Sequence, residues 1–253
     1  MSSSLDLDAP ARAPVPAAPT ASHASAPPAS PSTSLDLDAV AAPARSPSAA
    51  PAAAPAPARS QGFPVLRVGA ATRTILNHKS PTVTLTRTQT GVGTLIVEAA
   101  CSDEVGDLRL GCAYQLTSGQ SSTVQASGGN RFAPPRSRRP VLLGGHERYE
   151  RISVDLRQCR EIERLAVYAF SESRAQLNWG GTLIATTFAG AKVELPLEQL
   201  PPGGVAVLLS LYNVGDQFVL RAELETITGS IREACRAYGY DQITWLDDRT
   251  PVD

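Results

Sequence analysis

Eleven short runs of β-forming residues follow one another between Val65 and Glu223, cut apart by Gly, Pro, Ser and Asn. They are Val65 to Val68, Thr82 to Arg87, Thr94 to Ala100, Leu108 to Leu116, Thr123 to Ala126, Ile152 to Leu156, Leu165 to Phe170, Thr182 to Thr187, Lys192 to Leu195, Val205 to Asn213 and Phe218 to Glu223. Runs this short and this closely spaced leave little room for helix, so strands must pack on strands. Thr82-Val-Thr-Leu-Thr86 alternates apolar and polar residues, as a strand with one wet face does. Leu165 to Phe170 and Val205 to Leu209 are apolar throughout and suit the centre of a sheet. The expected fold class is all-β, a two-sheet antiparallel β-sandwich.

One short C-terminal helix is expected beside it. Ser230 and Glu233 have the spacing of a capping box, Ile231, Ala234, Cys235 and Tyr238 share one helical face, and Gly239 supplies the stop. That face should pack on the sandwich, with Trp245 covering the helix end.

The first sixty of the 253 residues cannot join such a core. They are almost entirely Ala, Pro and Ser, carry no aromatic residue, and hold too many prolines for a helix to propagate. Residues 1–60 are therefore expected to be a disordered low-complexity tail, and residues 61–253 one domain large enough for its own core. Within the tail the hexapeptide Ser-Leu-Asp-Leu-Asp-Ala occurs twice, at Ser4 to Ala9 and Ser34 to Ala39. One origin is a duplication in a repetitive coding tract. The other is a pair of docking motifs, in which Leu5, Leu7, Leu35 and Leu37 would face one way and Asp6, Asp8, Asp36 and Asp38 the other along an extended strand.

Charge and cysteine usage narrow the setting. The tail has four Asp against three Arg, a balance of −1, and the whole chain has a formal net charge of −1, so the domain is neutral. A global field that would draw in nucleic acid or an anionic membrane is absent. There is no basic leader followed by an apolar run and no apolar stretch of spanning length, so neither export nor a membrane span is expected. Cys101, Cys112, Cys159 and Cys235 lack C-x-x-C spacing and sit in or beside apolar segments, as reduced core cysteines do. A bacterial cytoplasm is the expected location.

Four segments resemble the TerD-like tellurium-resistance and stress proteins. Asp107-Leu-Arg-Leu-Gly-Cys-Ala-Tyr114 is similar to the family's D-L-D-L-G-C-x-Y, Glu150-Arg-Ile-Ser-Val-Asp-Leu156 to its G-E-x-I-x-[IV]-[ND]-L strand, and Glu163-Arg-Leu-Ala-Val-Tyr-Ala-Phe170 to its x-R-[IV]-x-[VF]-x-[AV]-[YF] strand. Ile231-Arg-Glu-Ala-Cys-Arg-Ala-Tyr-Gly-Tyr240, followed by Trp245, resembles the family's ending. The order and separations agree from about Gly93 to Trp245. The resemblance implies a β-sandwich with a stress-response role, acting as an interaction or calcium-binding module and not as an enzyme, with protein partners that include other tellurium-resistance proteins.

The resemblance also implies a calcium site in the D-L-D loop and the acidic loop before the second strand, because Ca²⁺ takes six to eight hard oxygen ligands. The matching residues are Asp107 and Glu150. Arg109 stands where the family has its second Asp, and the other loop reads Leu143-Gly-Gly-His146-Glu147-Arg148-Tyr149-Glu150-Arg151, with basic groups among the acids. The expectation is a degenerate or weakened metal site; the alternative is a calcium-dependent module with other ligands.

Arg131, Arg136, Arg138, Arg139, Arg148 and Arg151 cluster around Phe132 to Gly145, which Pro134, Pro135 and Pro140 should keep as an extended loop. Such a patch suits a protein partner or an anion such as phosphate, but no set of exposed aromatics and no nucleic-acid motif accompanies it, so nucleic acid is disfavoured and a solvated surface loop is the favoured reading. The three histidines, His23, His78 and His146, belong to no G-x-S-x-G, H-E-x-x-H or Cys-His pattern, which argues against an enzyme.

Overall fold

The computed structural model describes residues 66–252. The low-complexity tail and both Leu-Asp-Leu-Asp motifs lie outside the described residues. The described chain is a two-sheet β-sandwich with seven strands in each sheet.

In chain order the elements are β1 (Leu66–Arg67), β2 (Arg73–Ile75), β3 (Thr82–Thr84), α1 (Arg87–Gly91), β4 (Thr94–Ala100), β5 (Leu108–Leu116), β6 (Ser121–Gln125), β7 (Phe132–Ala133), β8 (Leu142–His146), β9 (Glu150–Asp155), β10 (Ile162–Ser171), β11 (Thr182–Thr186), β12 (Lys192–Pro196), β13 (Val205–Val214), β14 (Gln217–Ile227) and α2 (Ile231–Ala237). The first sheet runs β1-β3-β14-β13-β10-β5-β6 and the second β2-β12-β11-β4-β9-β8-β7. Pairing is antiparallel except at one margin of each sheet, where β1 lies parallel to β3 and β2 parallel to β12. The segment before Thr90, outside the stretch that carries the family resemblance, thus completes one edge of both sheets.

The continuous apolar runs are central strands, as their composition demands: β10 lies between β5 and β13. Alternate residues of β5, Leu108, Leu110, Cys112, Tyr114 and Leu116, enter the main core between the sheets. Ala113 from the same strand joins Ala166, Tyr168, Phe170, Val205 and Val207 in a second cluster, which α2 closes with Ile231, Ala234 and Cys235. Trp245 packs half-buried against this cluster. One sheet therefore has apolar side chains on both faces, which explains why its strands do not alternate.

Three elements depart from the sequence expectation. The run expected to continue as strand to Arg87 stops at Thr84, because Thr86 and Gln89 form a capping box for α1. The Thr86 amide donates to Gln89 Oε1 at 2.8 Å, and the Gln89 amide donates to Thr86 Oγ1 at 3.3 Å. β2 is only three residues long, too short for periodicity to reveal. The stretch expected as an extended arginine loop contains β7 and β8, paired as Phe132 with Leu143 and Ala133 with Leu142. Only residues 134–141 remain as the connection between them.

Candidate functional site

β6 pairs with β5 only from Gly111 onward, opposite Gln125, so the start of β5 extends past its neighbour. On the other side β10 continues along that start, with Phe170 opposite Arg109 and Ser171 opposite Leu108. Glu172, the next residue, emerges beside Arg109, and Glu150 at the start of β9 arrives from the opposite sheet. Pairing of two sheets thus brings together three residues far apart in sequence.

At their junction the Arg109 guanidinium bridges two carboxylates. Its Nε and Nη2 lie 2.8 and 2.6 Å from Glu172 Oε2, and its Nη1 is 3.4 Å from Glu150 Oε1. Glu150 is buried, and its remaining capacity is used by His146 Nδ1, 2.9 Å from Oε1, and by the Leu110 amide, which donates to Oε2 at 3.4 Å. Glu172 also accepts from the Ser127 hydroxyl. That hydroxyl and then Arg109 hold the Glu172 carboxyl below its ordinary range.

Asp107 is engaged next door. Its Oδ1 accepts from the Ser171 hydroxyl at 2.7 Å and its Oδ2 from the Ser173 amide at 2.5 Å. The Ser171 hydroxyl, with smaller contributions from Ser173, holds its carboxyl below the usual value.

Of the two residues matched to a calcium site, Glu150 pairs with the Arg109 guanidinium, and Asp107 is bonded instead to Ser171 and Ser173. Among the described residues no group of three or more His, Cys, Asp or Glu is arranged to hold a metal ion. A divalent cation does not fit this donor set, because a permanent positive charge already sits between Glu150 and Glu172. Sequence reading missed Glu172, which lies 63 residues from Arg109 and becomes its partner only through the β5–β10 register. Near the C-terminus Asp247 Oδ1 accepts the Arg249 and Thr250 amides at 2.7 Å each, and Asp248 pairs with Arg174 at 3.1 Å. Arg249 in turn donates to the Ser171 and Glu172 carbonyls, tying the C-terminal segment to the same corner.

The six arginines of the second expected patch are distributed differently from one another. Arg151 lies on β9 and is paired internally, at 2.8 Å to Glu98 and 2.6 Å to Glu147. Arg148 lies over the Tyr149 ring at 5.4 Å. Arg131 and Arg136 are exposed. Arg138 and Arg139 line a cleft of about 690 Å³ with Arg157, which the sequence reading had not included.

The cysteines are free. Burial pushes the thiols of Cys101 and Cys112 up, to about 11 and about 12, and raises that of Cys235 further. None is a thiolate near neutral pH. His78 and His146 are both exposed.

No family model matches the chain, and no curated protein matches it. Among solved structures it is similar to the crystal structure of SAV2460, a protein of unknown function, at 12% identity and a TM-score of 0.36, over 54% of this chain and 93% of that one.

Proposed function

We propose that the chain is a non-catalytic interaction module of the tellurium-resistance and stress-response type, in which an internal guanidinium has taken the position of a calcium ion. The four segments that resemble TerD-like proteins support the type. The observation that carries the rest is the bridge from Glu150 through Arg109 to Glu172, with Asp107 beside it. In metal-dependent modules a dication holds such carboxylates together; here the chain supplies its own cation and stays assembled without one. Cysteines kept as thiols by burial agree with a module that works by contact. Its setting in this reading is the bacterial cytoplasm, and its partners are proteins, including other tellurium-resistance components.

Calorimetric titration of the full chain with calcium tests the reading. Charges about 4 Å apart interact by roughly 4 kcal/mol per unit pair at an effective dielectric near 20, and about 1.4 kcal/mol is a factor of ten in affinity. Wild type is expected to show no calcium binding at micromolar concentration. Arg109→Asp removes the cation, adds a carboxylate beside Asp107, Glu150 and Glu172, and is expected to bind calcium and melt at a higher temperature when calcium is added. Tight binding by wild type would sink the proposal.

A further inference from the structure

The cleft of about 690 Å³ is built from four parts of the second sheet and its connections: Thr94 from β4, Ser153 and Asp155 from β9, Val141 and Leu143 at β8, and Arg138, Arg139 and Pro140 from the connection before it. Arg157, Gln158 and Glu161, on a 3-10 turn spanning Leu156–Glu161, close the remaining side. Its volume is in the range of small-ligand sites, about 300–1,000 Å³.

The charges on its wall are not equivalent. Asp155 is fully engaged: Arg157 grips it with Nε at 2.8 Å and Nη2 at 2.9 Å, and Gln158 Nε2 adds a third side-chain bond at 2.9 Å. The Arg157 amide donates to the same carboxylate at 3.1 Å. That pair is internally neutralised. Arg138 and Arg139 are exposed and their guanidinium groups have no hydrogen bond or ion pair with the described residues. The hydroxyls of Thr94 and Ser153 likewise make no hydrogen bond to the described residues. Glu161 is the single opposing charge without a partner, so the free groups sum to a net positive wall.

The main chain that carries the two arginines is bonded at its ends. The Asp155 amide donates to the Val141 carbonyl at 2.8 Å, the Val141 amide to the Ala133 carbonyl at 2.7 Å, and Gln158 Nε2 to the Pro140 carbonyl at 3.4 Å. Both ends of the segment that carries Arg138 and Arg139 are therefore anchored. Leu143, 38% exposed, and Pro140 add an apolar shelf beside the donors.

We infer that this cleft is a binding site for a small phosphomonoester, with Arg138, Arg139 and the Thr94 and Ser153 hydroxyls taking the phosphate and Leu143 and Pro140 taking an apolar or planar body. Guanidinium forks match phosphate oxygens two at a time, and hydroxyls complete the oxygens the forks leave free. The confined set of free donors favours a small molecule over a polynucleotide, whose backbone would need a continuous basic track. Among the six arginines, Arg151 is spent on Glu98 and Glu147, which breaks any such track. The site is separate from Arg109 and stands whether or not the calcium reading does.

Calorimetric titration of the full chain with phenyl phosphate, inorganic phosphate and a 20-nucleotide single-stranded DNA tests it. Phenyl phosphate is expected to bind saturably at one site and to be displaced by inorganic phosphate, which binds more weakly because it lacks the body. Arg138→Gln with Arg139→Gln is expected to weaken phenyl phosphate by about tenfold or more, as losing charge-assisted hydrogen bonds does, with an unchanged melting temperature. Arg131→Gln with Arg136→Gln, outside the cleft, is expected to leave it unchanged. Leu143→Ser is expected to remove the preference for phenyl over inorganic phosphate. No saturable binding by wild type, equal losses in both double variants, or tight binding confined to the DNA would each overturn the inference.

Discussion

Arg109 and Gly111 lie two residues apart on β5 and show how differently a single position can be constrained. At Arg109 the constraint is charge: one guanidinium satisfies a buried carboxylate on one sheet and a half-exposed one on the other. At Gly111 the constraint is space. Gly111 stands opposite Tyr168 across the β5–β10 pair, and a Cβ there would lie 2.4 Å from the Tyr168 ring. Tyr168 is itself fixed, fully buried with its hydroxyl accepting from Gln125 Nε2 at 2.8 Å. Gly111→Ala is therefore expected to cost about 2 kcal/mol, the scale of overpacking a core, read as a lower denaturation midpoint with an unchanged slope. On a Tyr168→Leu background the same change should cost clearly less, since the ring that blocks the methyl is gone. Equal cost in both backgrounds would place the strain elsewhere.

At the scale of elements, α2 is the clearest case of a short helix stabilised at both ends. Seven residues are too few for helix propensity alone to hold it. At its C-terminus Gly239 takes φ of 75°, the Tyr240 amide reaches back to the Cys235 carbonyl at 3.0 Å, and the Gly239 amide reaches the Arg236 carbonyl at 2.9 Å; together these form a Schellman motif. Arg164 from β10 donates to the Tyr238 carbonyl at 3.2 Å and lies over the Tyr240 ring at 4.5 Å, placing a cation at the negative end of the helix. Gly239→Ala is expected to cost about 1–2 kcal/mol, because a side chain is strained in the left-handed region. At the N-terminus the Ser230 amide donates to Glu233 Oε2 at 3.0 Å, and the Ser230 hydroxyl contacts the same oxygen. The Ser230 hydroxyl and amide hold the Glu233 carboxyl down to about 2, well below the usual carboxylate range. A carboxyl whose folded value is depressed adds stability above its unfolded value and loses it as the proton returns. Thermal melts from pH 5 down to pH 2 should thus show a loss that Glu233→Gln reduces. A variant with the same acid profile as wild type would remove Glu233 from the account.

At the scale of the whole molecule, the chain passes between the two sheets through residues 126–131. The Gln125 amide bonds the Asn130 carbonyl at 2.8 Å and the Gly144 amide bonds the Arg131 carbonyl at 2.9 Å, so one side of the sandwich is closed by main-chain bonds. On the other side the edges are the two- and three-residue strands β1 and β2, which offer little length for another chain to pair with. The tail plays no part in the expectation for this core: its Ala, Pro and Ser cannot bury enough apolar surface to offset the entropy of ordering. Limited proteolysis is expected to remove residues 1–60 early and leave a fragment that melts with the full chain. Resistance of the tail, or unfolding after its removal, would overturn that expectation.

Reading residues alone was enough for the class of fold and most of its strands. β4 at Thr94–Ala100 and β5 at Leu108–Leu116 match their expected bounds, and α2 carries the capping box and the glycine stop that mark it. Those features are local: side-chain alternation, cap spacing and turn residues act within about ten residues of one another. The cap made by Thr86 and Gln89 shows itself only in the fold, where it ends the preceding strand at Thr84. The marginal parallel pairs, the strands within the arginine-rich stretch and the partners of Arg109 were not legible, because each depends on which strands pair and in what register. Two sheets facing each other put Glu150 and Glu172 at one guanidinium, and strand pairing within the second sheet puts Arg157 beside Arg138 and Arg139. Sequence distance carries no record of such meetings, since they arise from long-range pairing and packing that only the folded chain creates.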